Sequence, residues 1–330
     1  MKIAIIRLSS LGDIILGMPV LQIIRKHLPD CSITWVADKR FADILDHQPD
    51  LQNVIKLELK GLKKQKSINR LKDEYRSLTS AGPFDAVIDL HGMIKSAITA
   101  VIVGGQRYGF DRHMIKEPLA GLLYHRTLAI PMELPAASRY TQLGAESLGL
   151  PFQPAELLQI RPFLFSKDAD RHASDEYFSK QCRNIIMVPE TSAPYKNYPP
   201  KKFIRLSKSL GENILICHGN QQEYETARFI AEQAGNARVL PRLNLNQLKA
   251  AIGRADVVIG GDSGPTHIAW GCGVPSITLF GATPVCILPT TQNLVIKTAT
   301  TPHLHNHDSG DLSIQTIPVE YVVALAEKLL

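Results

Sequence analysis

The stretch Ile3-Ala4-Ile5-Ile6-Arg7-Leu8-Ser9-Ser10-Leu11-Gly12-Asp13 decides the fold, because it joins an apolar run to a short polar loop. Residues 3–8 have the length and composition of a buried strand, and residues 9–13 form the loop. Apolar side chains then recur at helical spacing at Val20, Leu21, Ile24 and Leu28. The chain therefore begins with a β-loop-α unit, which is the building block of a parallel sheet.

The same alternation continues through the first half and restarts in the second. Strands are predicted at 33–37, 54–57, 86–89, 184–188, 213–217, 237–240, 257–260 and 276–280, and helices at 201–210, 223–234, 245–252 and 265–272. Near Leu150 a proline-rich stretch interrupts the pattern, which is typical of a domain boundary. We expect an α/β protein with two doubly wound domains, residues 1–160 and 161–330, and a last helix able to pack back onto the first domain.

Composition limits the function classes. The chain has 330 residues, and its longest apolar runs are far shorter than the roughly 20 residues that span a bilayer. It opens directly on a strand pattern without the regions of a secretory signal, so we expect a cytoplasmic protein. Five scattered cysteines indicate reduced, buried thiols. The net charge of +6 favours an acidic partner such as nucleic acid, anionic lipid or a phosphorylated substrate.

The loop that ends at Asp13 lies where ligands bind in such folds, beyond the carboxyl end of a strand. A nicotinamide site would need three glycines here, and this loop has only Gly12, although Asp38 follows the second strand as such a site requires. An oxidoreductase is therefore the weaker alternative. Asp13 could have only the structural role of a helix N-cap. Its position at the strand's carboxyl end instead favours a functional role.

The segment Gly260-Gly261-Asp262-Ser263-Gly264-Pro265-Thr266-His267 is the strongest local signal. It follows an apolar strand and opens a helix, where glycines let backbone amides approach a phosphate. A capped helix without a ligand would explain Ser263 and Pro265, but it would leave Asp262 and His267 unexplained.

Three further groups follow strands of the second half. Thr191, Ser192 and Lys196 could grip a diphosphate, although a solvated loop explains them equally well. Glu223 could accept hydrogen bonds from ribose hydroxyls, or it could simply complement the helix dipole.

Two clusters of charge lie in loops. Residues 56–72 hold seven Lys and Arg and one acid, Glu58, without the interleaved aromatic residues of a nucleic-acid surface, so an acceptor carrying carboxylate or phosphate fits better. His303, His305, His307 and Asp308 alternate in a polar loop, which is weak support for a metal site.

Three motifs together resemble the heptosyltransferases of lipopolysaccharide core synthesis, glycosyltransferase family nine, over nearly the whole chain. The loop 9–13 resembles that family's Ser-Ser-Met-Gly-Asp. Residues 89–96 and 116–120 resemble its Asp-Ala-Gln-Gly-Leu-Val-Lys-Ser and Arg-Glu-Pro-Leu-Ala, and these two favour type I members over type II.

The resemblance implies a GT-B fold, with two Rossmann-like domains facing across a cleft, and an inverting transfer of heptose from ADP-L-glycero-D-manno-heptose to the Kdo sugar of Kdo-lipid A without a metal or other cofactor. The first domain would bind the acceptor and the second the nucleotide sugar. It makes Asp13 the general base and implies donor contacts at Thr191, Ser192, Lys196, Glu223, Leu243, Asp262, Ser263, Gly264 and His267. The acceptor contacts expected from these motifs and the basic stretch are Ser10, Gly12, Lys60, Lys63, Lys64, Lys95 and Lys116. Such an enzyme would work peripherally on the anionic cytoplasmic face of the inner membrane, with no nucleic-acid partner.

The chain departs from the family pattern at two donor motifs. Residues 191–198 keep the lysine of the family's Thr-Thr-Arg-Asp-Asp-Lys-His-Trp but lose its neighbouring charges, and Asp-Thr-Gly-Leu-Ser-His becomes Asp-Ser-Gly-Pro-Thr-His at 262–267. A type II heptosyltransferase, another ADP-heptose transferase and a catalytically silent carbohydrate-binding protein of the same fold are the remaining alternatives.

Overall fold

The computed structural model describes residues 1–58, 75–299 and 310–330. Within them the chain forms two compact units, Met1–Ile160 with Cys286–Leu288, and Arg161–Val285 with Pro289–Leu330. Several residues singled out above lie outside the described part of the chain, namely Lys60, Lys63, Lys64, His303, His305, His307 and Asp308. All five cysteines are free thiols, but only Cys31 and Cys217 are buried as expected; Cys272 and Cys286 are half-buried and Cys182 is exposed.

The first unit is built on a six-stranded parallel sheet with the order β3-β2-β1-β4-β5-β6. Its strands are β1 (Lys2–Ile6), β2 (Ser32–Asp38), β3 (Asn53–Leu57), β4 (Ala86–Asp89), β5 (Gln106–Phe110) and β6 (Arg126–Leu128). Its helices are α1 (Leu11–Gly17), α2 (Pro19–His27), α3 (Ile94–Val103) and α4 (Ala136–Ser147), with 3-10 segments at Ala42–Leu45, Arg112–Met114, Pro118–Leu123 and Pro154–Gln159.

The second unit repeats this architecture with the order β12-β11-β10-β7-β8-β9, again with all neighbours parallel. Its strands are β7 (Asn184–Val188), β8 (Asn213–Ile216), β9 (Ala237–Val239), β10 (Val257–Gly261), β11 (Ser276–Phe280) and β12 (Asn293–Lys297). Its helices are α5 (Pro200–Leu210), α6 (Gln221–Ala234), α7 (Leu245–Ile252), α8 (Gly264–Cys272) and α9 (Val319–Leu329), with 3-10 segments at Asp168–Tyr177, Pro194–Lys196 and Ser313–Thr316.

The central strands are buried on both faces, as helix-covered parallel strands must be. All five residues of β7, β10 and β11 are buried, and only Lys2 of β1 is exposed. The last helix, α9, contributes Val319, Val322 and Ala326 to the core of the second unit, where they belong to one cluster with Phe203 and Leu206. The expected α/β class with two doubly wound sheets is confirmed.

Both sheets place their first strand in the middle, with the second strand on one side and the fourth on the other. Counted within each unit, the order is 3-2-1-4-5-6, which is that of a Rossmann sheet. The chain leaves β1 and β4, or β7 and β10, in opposite directions, so a crevice opens at their carboxyl ends. Ligand-binding residues are therefore expected in the loops that follow these four strands.

None of the helices in the described ranges is both long and apolar enough to cross a bilayer.

Helices α2 and α4 approach each other closely at Gly144. A Cβ atom added at this position would lie 2.2 Å from Val20 Cγ2, far inside contact distance. Gly144 is thus required by packing, although glycine is unfavourable in the middle of a helix.

We predict that Gly144→Ala lowers the free energy of unfolding by about 1–3 kcal/mol, even though alanine favours an isolated helix over glycine by about 1 kcal/mol. The reason is the collision with Val20, so the same substitution in a Val20→Ala background should cost at least about 1 kcal/mol less. Urea denaturation of the four proteins measures both quantities. Equal costs in the two backgrounds would show that Val20 is not the obstacle.

Candidate active site

Asp13 lies in the first turn of α1, at the carboxyl end of β1. Ser10, not Asp13, occupies the N-cap position, so the simple N-cap interpretation is wrong. The Asp13 Oδ2 atom accepts hydrogen bonds from the Ser10 backbone N–H at 3.1 Å and from Ser10 Oγ at 2.8 Å. One carboxylate oxygen therefore holds the loop to the helix, which is the N3 half of a capping box.

The other carboxylate oxygen faces two side chains that the sequence did not single out. Arg7 Nη2 lies 2.7 Å from Asp13 Oδ1, and the Tyr140 hydroxyl donates to the same atom at 2.9 Å. The Arg7 guanidinium carbon also lies 4.5 Å from the centroid of the Tyr140 ring, and Arg7 Nη1 donates to the Leu90 carbonyl at 2.6 Å. Asp13 thus accepts four charged or polar contacts before any ligand arrives.

These contacts determine the charge of Asp13. Burial by itself would raise the pKa of the carboxyl group, but the charge of Arg7 and the hydrogen bonds from Ser10 and Tyr140 outweigh it and lower the pKa to about 2. Burial works against the charge of Arg7 as well, yet Asp13 raises the pKa of the guanidinium. The pair is therefore fully ionised at neutral pH.

A cavity of about 320 Å³ opens beside this ion pair within the first unit. Arg7, Asp13 and Tyr140 are among the residues that line it. Its remaining charged side chains are cationic, namely Lys116 and Arg139. The cavity therefore has three cationic side chains and one acid, Asp13, which is already paired with Arg7. Such a cavity suits a ligand that carries an anionic group and hydroxyls.

The loop after β4 also lines the cavity, and a buried carboxylate holds this loop. Asp89 Oδ1 accepts from the backbone N–H groups of His91 at 2.8 Å and Gly92 at 3.3 Å, and Tyr124 donates to Asp89 Oδ2 at 2.7 Å. Burial raises the pKa of Asp89, while Ser96, Tyr124 and the two amides oppose the shift. Burial and the charges of Arg7 and Lys95 lower the pKa of His91 to about 3, so this ring stays neutral.

The expected acceptor residues of the described chain fall near this cavity to different degrees. Ser10 and Lys116 line it. Lys95, on α3, reaches Ser9 Oγ at 3.4 Å, and Ser9 lines the cavity. Gly12 is the second residue of α1 and is not among the residues that line the cavity.

In the second unit, a charged cluster bridges the loops after β7 and β10. Lys196 Nζ lies 2.6 Å from Asp262 Oδ2, and His267 Nε2 lies 3.1 Å from Asp262 Oδ1. Burial opposes the ionisation of Asp262, but His267 and Lys196 hold its pKa far below the ordinary range. The cluster therefore contains a charged carboxylate whose two oxygens each have a partner.

Glycine allows these two loops to meet. A Cβ atom on Gly261 would lie 2.8 Å from the Lys196 carbonyl oxygen and 2.9 Å from Thr191 Cγ2, and one on Gly260 would lie 2.6 Å from Val188 Cβ. All three distances are shorter than a Cβ atom tolerates, so the two positions require glycine. The two glycines thus bring the backbone of the β7 loop against β10, which places Lys196 beside Asp262.

The other expected donor residues lie at the same edge of the sheet but differ in exposure and in their contacts. Thr191 Oγ1 donates to the Asn197 side-chain oxygen at 2.8 Å, and Ser192 is exposed. Ser263 occupies the N-cap of α8 and Gly264 begins it, but Ser263 Oγ lies 3.1 Å from Thr266 Oγ1 and does not cap a backbone amide.

Glu223 lies in the first turn of α6, which follows β8, and Leu243 lies in the loop after β9. Glu223 accepts from the Gly219 backbone N–H at 2.6 Å and from the Asn220 side chain, so its carboxylate holds the turn that opens α6. Leu243 is half-buried in the segment before α7. The carboxylate of Glu223 thus has hydrogen-bond partners without a ligand, as a purely structural role requires.

Asp38, the acid of the oxidoreductase alternative, is already paired. Arg40 donates to its two oxygens at 2.8 and 2.7 Å, and the Arg40 backbone N–H adds a third hydrogen bond. A ribose would have to displace a bidentate guanidinium from a buried carboxylate, which disfavours a nicotinamide nucleotide here.

Four side chains at this cavity were not predicted as site residues from the sequence, namely Arg7, Tyr140, Arg139 and His91. A signal for Arg7 was present, because it interrupts an otherwise apolar strand and a buried cation needs a partner. Tyr140 reaches Asp13 across 127 residues of chain, and no local pattern indicates that contact.

Known proteins resemble this chain over its whole length. Residues 75–313 match glycosyltransferase family 9 (heptosyltransferase). Lipopolysaccharide heptosyltransferase 1 of Campylobacter coli is 34% identical, with 100% of this chain and 99% of the relative covered. The solved E. coli heptosyltransferase WaaC with ADP gives a TM-score of 0.79 at 23% identity, and E. coli ADP-heptose LPS heptosyltransferase II gives 0.75 at 20%; these matches cover 100% of this chain and 100% and 98% of the solved chains.

We predict that Lys196 and Asp262 are strongly coupled. Lys196→Met leaves the Asp262 carboxylate without its cation and should lower the free energy of unfolding, whereas the same change in an Asp262→Asn background should cost much less. A coupling energy of about 1–3 kcal/mol is expected from a double-mutant cycle measured by urea denaturation. Additive costs would show that the contact contributes nothing to the folded state.

Proposed function

The chain belongs to glycosyltransferase family 9, the heptosyltransferases, and on that basis we propose that it transfers L-glycero-D-manno-heptose from ADP-heptose to the Kdo sugar of Kdo-lipid A. It is a heptosyltransferase of lipopolysaccharide core synthesis; the type I acceptor step, the donor and the mechanism are our proposal. The observation that carries it is an ionised Asp13 at the edge of a cavity whose other charges are cationic.

The acceptor fits the charge of the cavity in the first unit. Kdo carries a carboxylate and several hydroxyls. We assign the carboxylate to Lys116 and Arg139, which line the cavity without a counter-acid of their own among its lining residues. A hydroxyl of the sugar then lies against Asp13, with Ser10 beside it.

The donor fits the cluster in the second unit. Lys196 and the backbone N–H groups at the start of α8 would neutralise the diphosphate, because a helix N-terminus and an ammonium both favour negative charge. Asp262 holds Lys196 and His267 in place and offers its oxygens to hydroxyls of the heptose once the lysine turns toward the phosphates. Thr191, Ser192, Ser263 and Gly264 complete the phosphate contacts, and Glu223 and Leu243 hold the nucleoside.

The mechanism is a single displacement with inversion. The acceptor oxygen attacks the anomeric carbon as ADP leaves from the opposite side, and Asp13 takes the proton of that oxygen. A carboxylate of pKa about 2 is a weak base toward a free hydroxyl. The hydroxyl becomes strongly acidic as its oxygen bonds to carbon, so proton transfer to Asp13 is favourable only late in the step.

Positive charge for the leaving group comes from Lys196 and α8 in this scheme, so we expect transfer without a metal ion or another cofactor. A lipid acceptor also places the reaction at the cytoplasmic face of the inner membrane, where the chain would bind peripherally.

The proposed function is tested by incubating the protein with ADP-heptose and a deacylated Kdo-lipid A, with and without a chelator, and following the mass of the acceptor. One added heptose in both reactions is the expected result. A parallel reaction with an acceptor that already carries one heptose separates the type II alternative. Transfer to that acceptor alone would overturn the type I assignment, and loss of transfer with the chelator would overturn metal independence.

We predict that Asp13→Asn, which keeps the shape of the side chain but removes its charge, lowers the transfer rate by about 10²–10⁴-fold. ADP binding, measured by calorimetry, should stay unchanged. Asp38→Asn is the matched control, because Asp38 is likewise an acid paired with arginine at the carboxyl end of a strand of the same sheet, and it should retain transfer. A folded Asp13→Asn protein with near-normal turnover would exclude Asp13 as the base.

A further inference from the structure

Five large apolar side chains are exposed on two neighbouring segments of the first unit. They are Ile94 (37% exposed), Ile98 (47%) and Val101 (43%) on α3, and Leu119 (65%) and Leu122 (70%) in the 3-10 segment Pro118–Leu123. Isolated exposed apolar residues are common on protein surfaces, but contiguous patches mark contact sites. We call these five residues the apolar face.

Their spacing puts them on one side of each segment. Positions 94, 98 and 101 fall on one stripe of an α-helix, and positions 119 and 122 eclipse each other in a 3-10 helix. The opposite sides of the segments pack together, because Ala97 and Ala120 are buried in one cluster. Glu117 also accepts a 2.7 Å hydrogen bond from the Ile94 backbone N–H, which fixes the start of α3 beside the 3-10 segment.

The surroundings of the apolar face are cationic. Residues 94–126 contain five Lys and Arg and two acids. Lys95, Arg112, Lys116 and Arg126 are exposed, whereas Glu117 is partly buried and serves the start of α3. An apolar patch bordered by lysine and arginine is complementary to an anionic lipid surface, whose acyl region and headgroups satisfy both parts.

The apolar face adjoins the candidate acceptor cavity. Met93 and Lys116 line the cavity, and each directly precedes a residue that joins the two segments. Tyr124, which ends the 3-10 segment, donates to Asp89, and Asp89 holds the loop at the cavity wall. A lipid-linked acceptor would thus have its sugar in the cavity and its acyl chains toward this face.

We propose that the apolar face docks the protein onto an anionic bilayer, an inference that rests on the proposed function for the identity of the acceptor but not for the binding itself. A second copy of the chain is the less suitable occupant. A two-fold contact would place the same patch on both copies and bring the cationic rims together.

Vesicle co-sedimentation of the full chain tests the proposal in the absence of any sugar substrate. Vesicles of equal parts phosphatidylethanolamine and phosphatidylglycerol should bind the wild-type protein, and pure phosphatidylcholine vesicles should bind it much less. Ile98→Gln combined with Leu122→Gln should weaken binding to the anionic vesicles by about tenfold or more, because each side chain loses apolar burial in the lipid. Arg112→Gln with Arg126→Gln should weaken it and reduce its salt dependence.

The matched control is Phe229→Gln with Tyr321→Gln, which removes two apolar side chains of similar exposure (44% and 53%) from the second unit and should leave vesicle binding unchanged. Wild-type binding by the Ile98→Gln, Leu122→Gln protein would overturn the proposal. So would failure of the wild type to bind anionic vesicles, or a dimer in analytical ultracentrifugation that this variant abolishes.

Transfer assays separate this proposal from the proposed function. The Ile98→Gln, Leu122→Gln variant should use a deacylated acceptor at the wild-type rate and a vesicle-embedded acceptor more slowly. Vesicle binding without transfer to either acceptor would refute the proposed function alone. Equal loss on both acceptors would show that the apolar face supports the cavity and not the membrane contact.

Discussion

The order of strands in each sheet is the constraint on which the rest depends. Because the first strand of each unit lies between the second and the fourth, the loops after the first and fourth strands diverge and leave space at their carboxyl ends. Asp13 follows the first strand of its sheet and His91 the fourth. Lys196 and Asp262 stand at the corresponding places in the second unit. The strand order thus determines where the candidate functional residues of each unit lie.

Each crevice also contains an acid that is held ionised by a basic residue. In the first unit Arg7 pairs with Asp13 along one short segment, and in the second Lys196 reaches Asp262 from another loop. The two pairs are shielded from water to different degrees but follow the same rule: a carboxylate in a partly buried site keeps its charge only when cations and hydrogen-bond donors outweigh the cost of burial. The acid and the cation in each pair therefore position each other.

Much of this was available from the sequence, because periodicity locates strongly apolar strands. The buried strands β1, β2, β4, β7, β8, β10 and β11 were predicted, whereas β5, β6 and β12 were not, since segments such as Gln106–Phe110 are short or polar at a sheet edge. The loops of Asp13 and Asp262 were found by their place after a strand. The partners of these acids were harder to predict. Arg7 stands out as a charged residue in an apolar segment, whereas Tyr140 contacts Asp13 only because α4 packs against the first helix. Long-range contacts of this kind have no local pattern.

The four donors on Asp13 have a consequence for selectivity. A base that is strong in the resting protein would activate any hydroxyl compound that enters, including water, and an activated sugar would then be hydrolysed. Asp13, with a pKa of about 2, cannot deprotonate water at a useful rate. In the proposed reaction it would accept a proton only from an oxygen that is already bonding to carbon, which requires a nucleophile held in place by the cavity. On this proposal, the low pKa of Asp13 would keep the nucleotide sugar from being hydrolysed while the acceptor is absent.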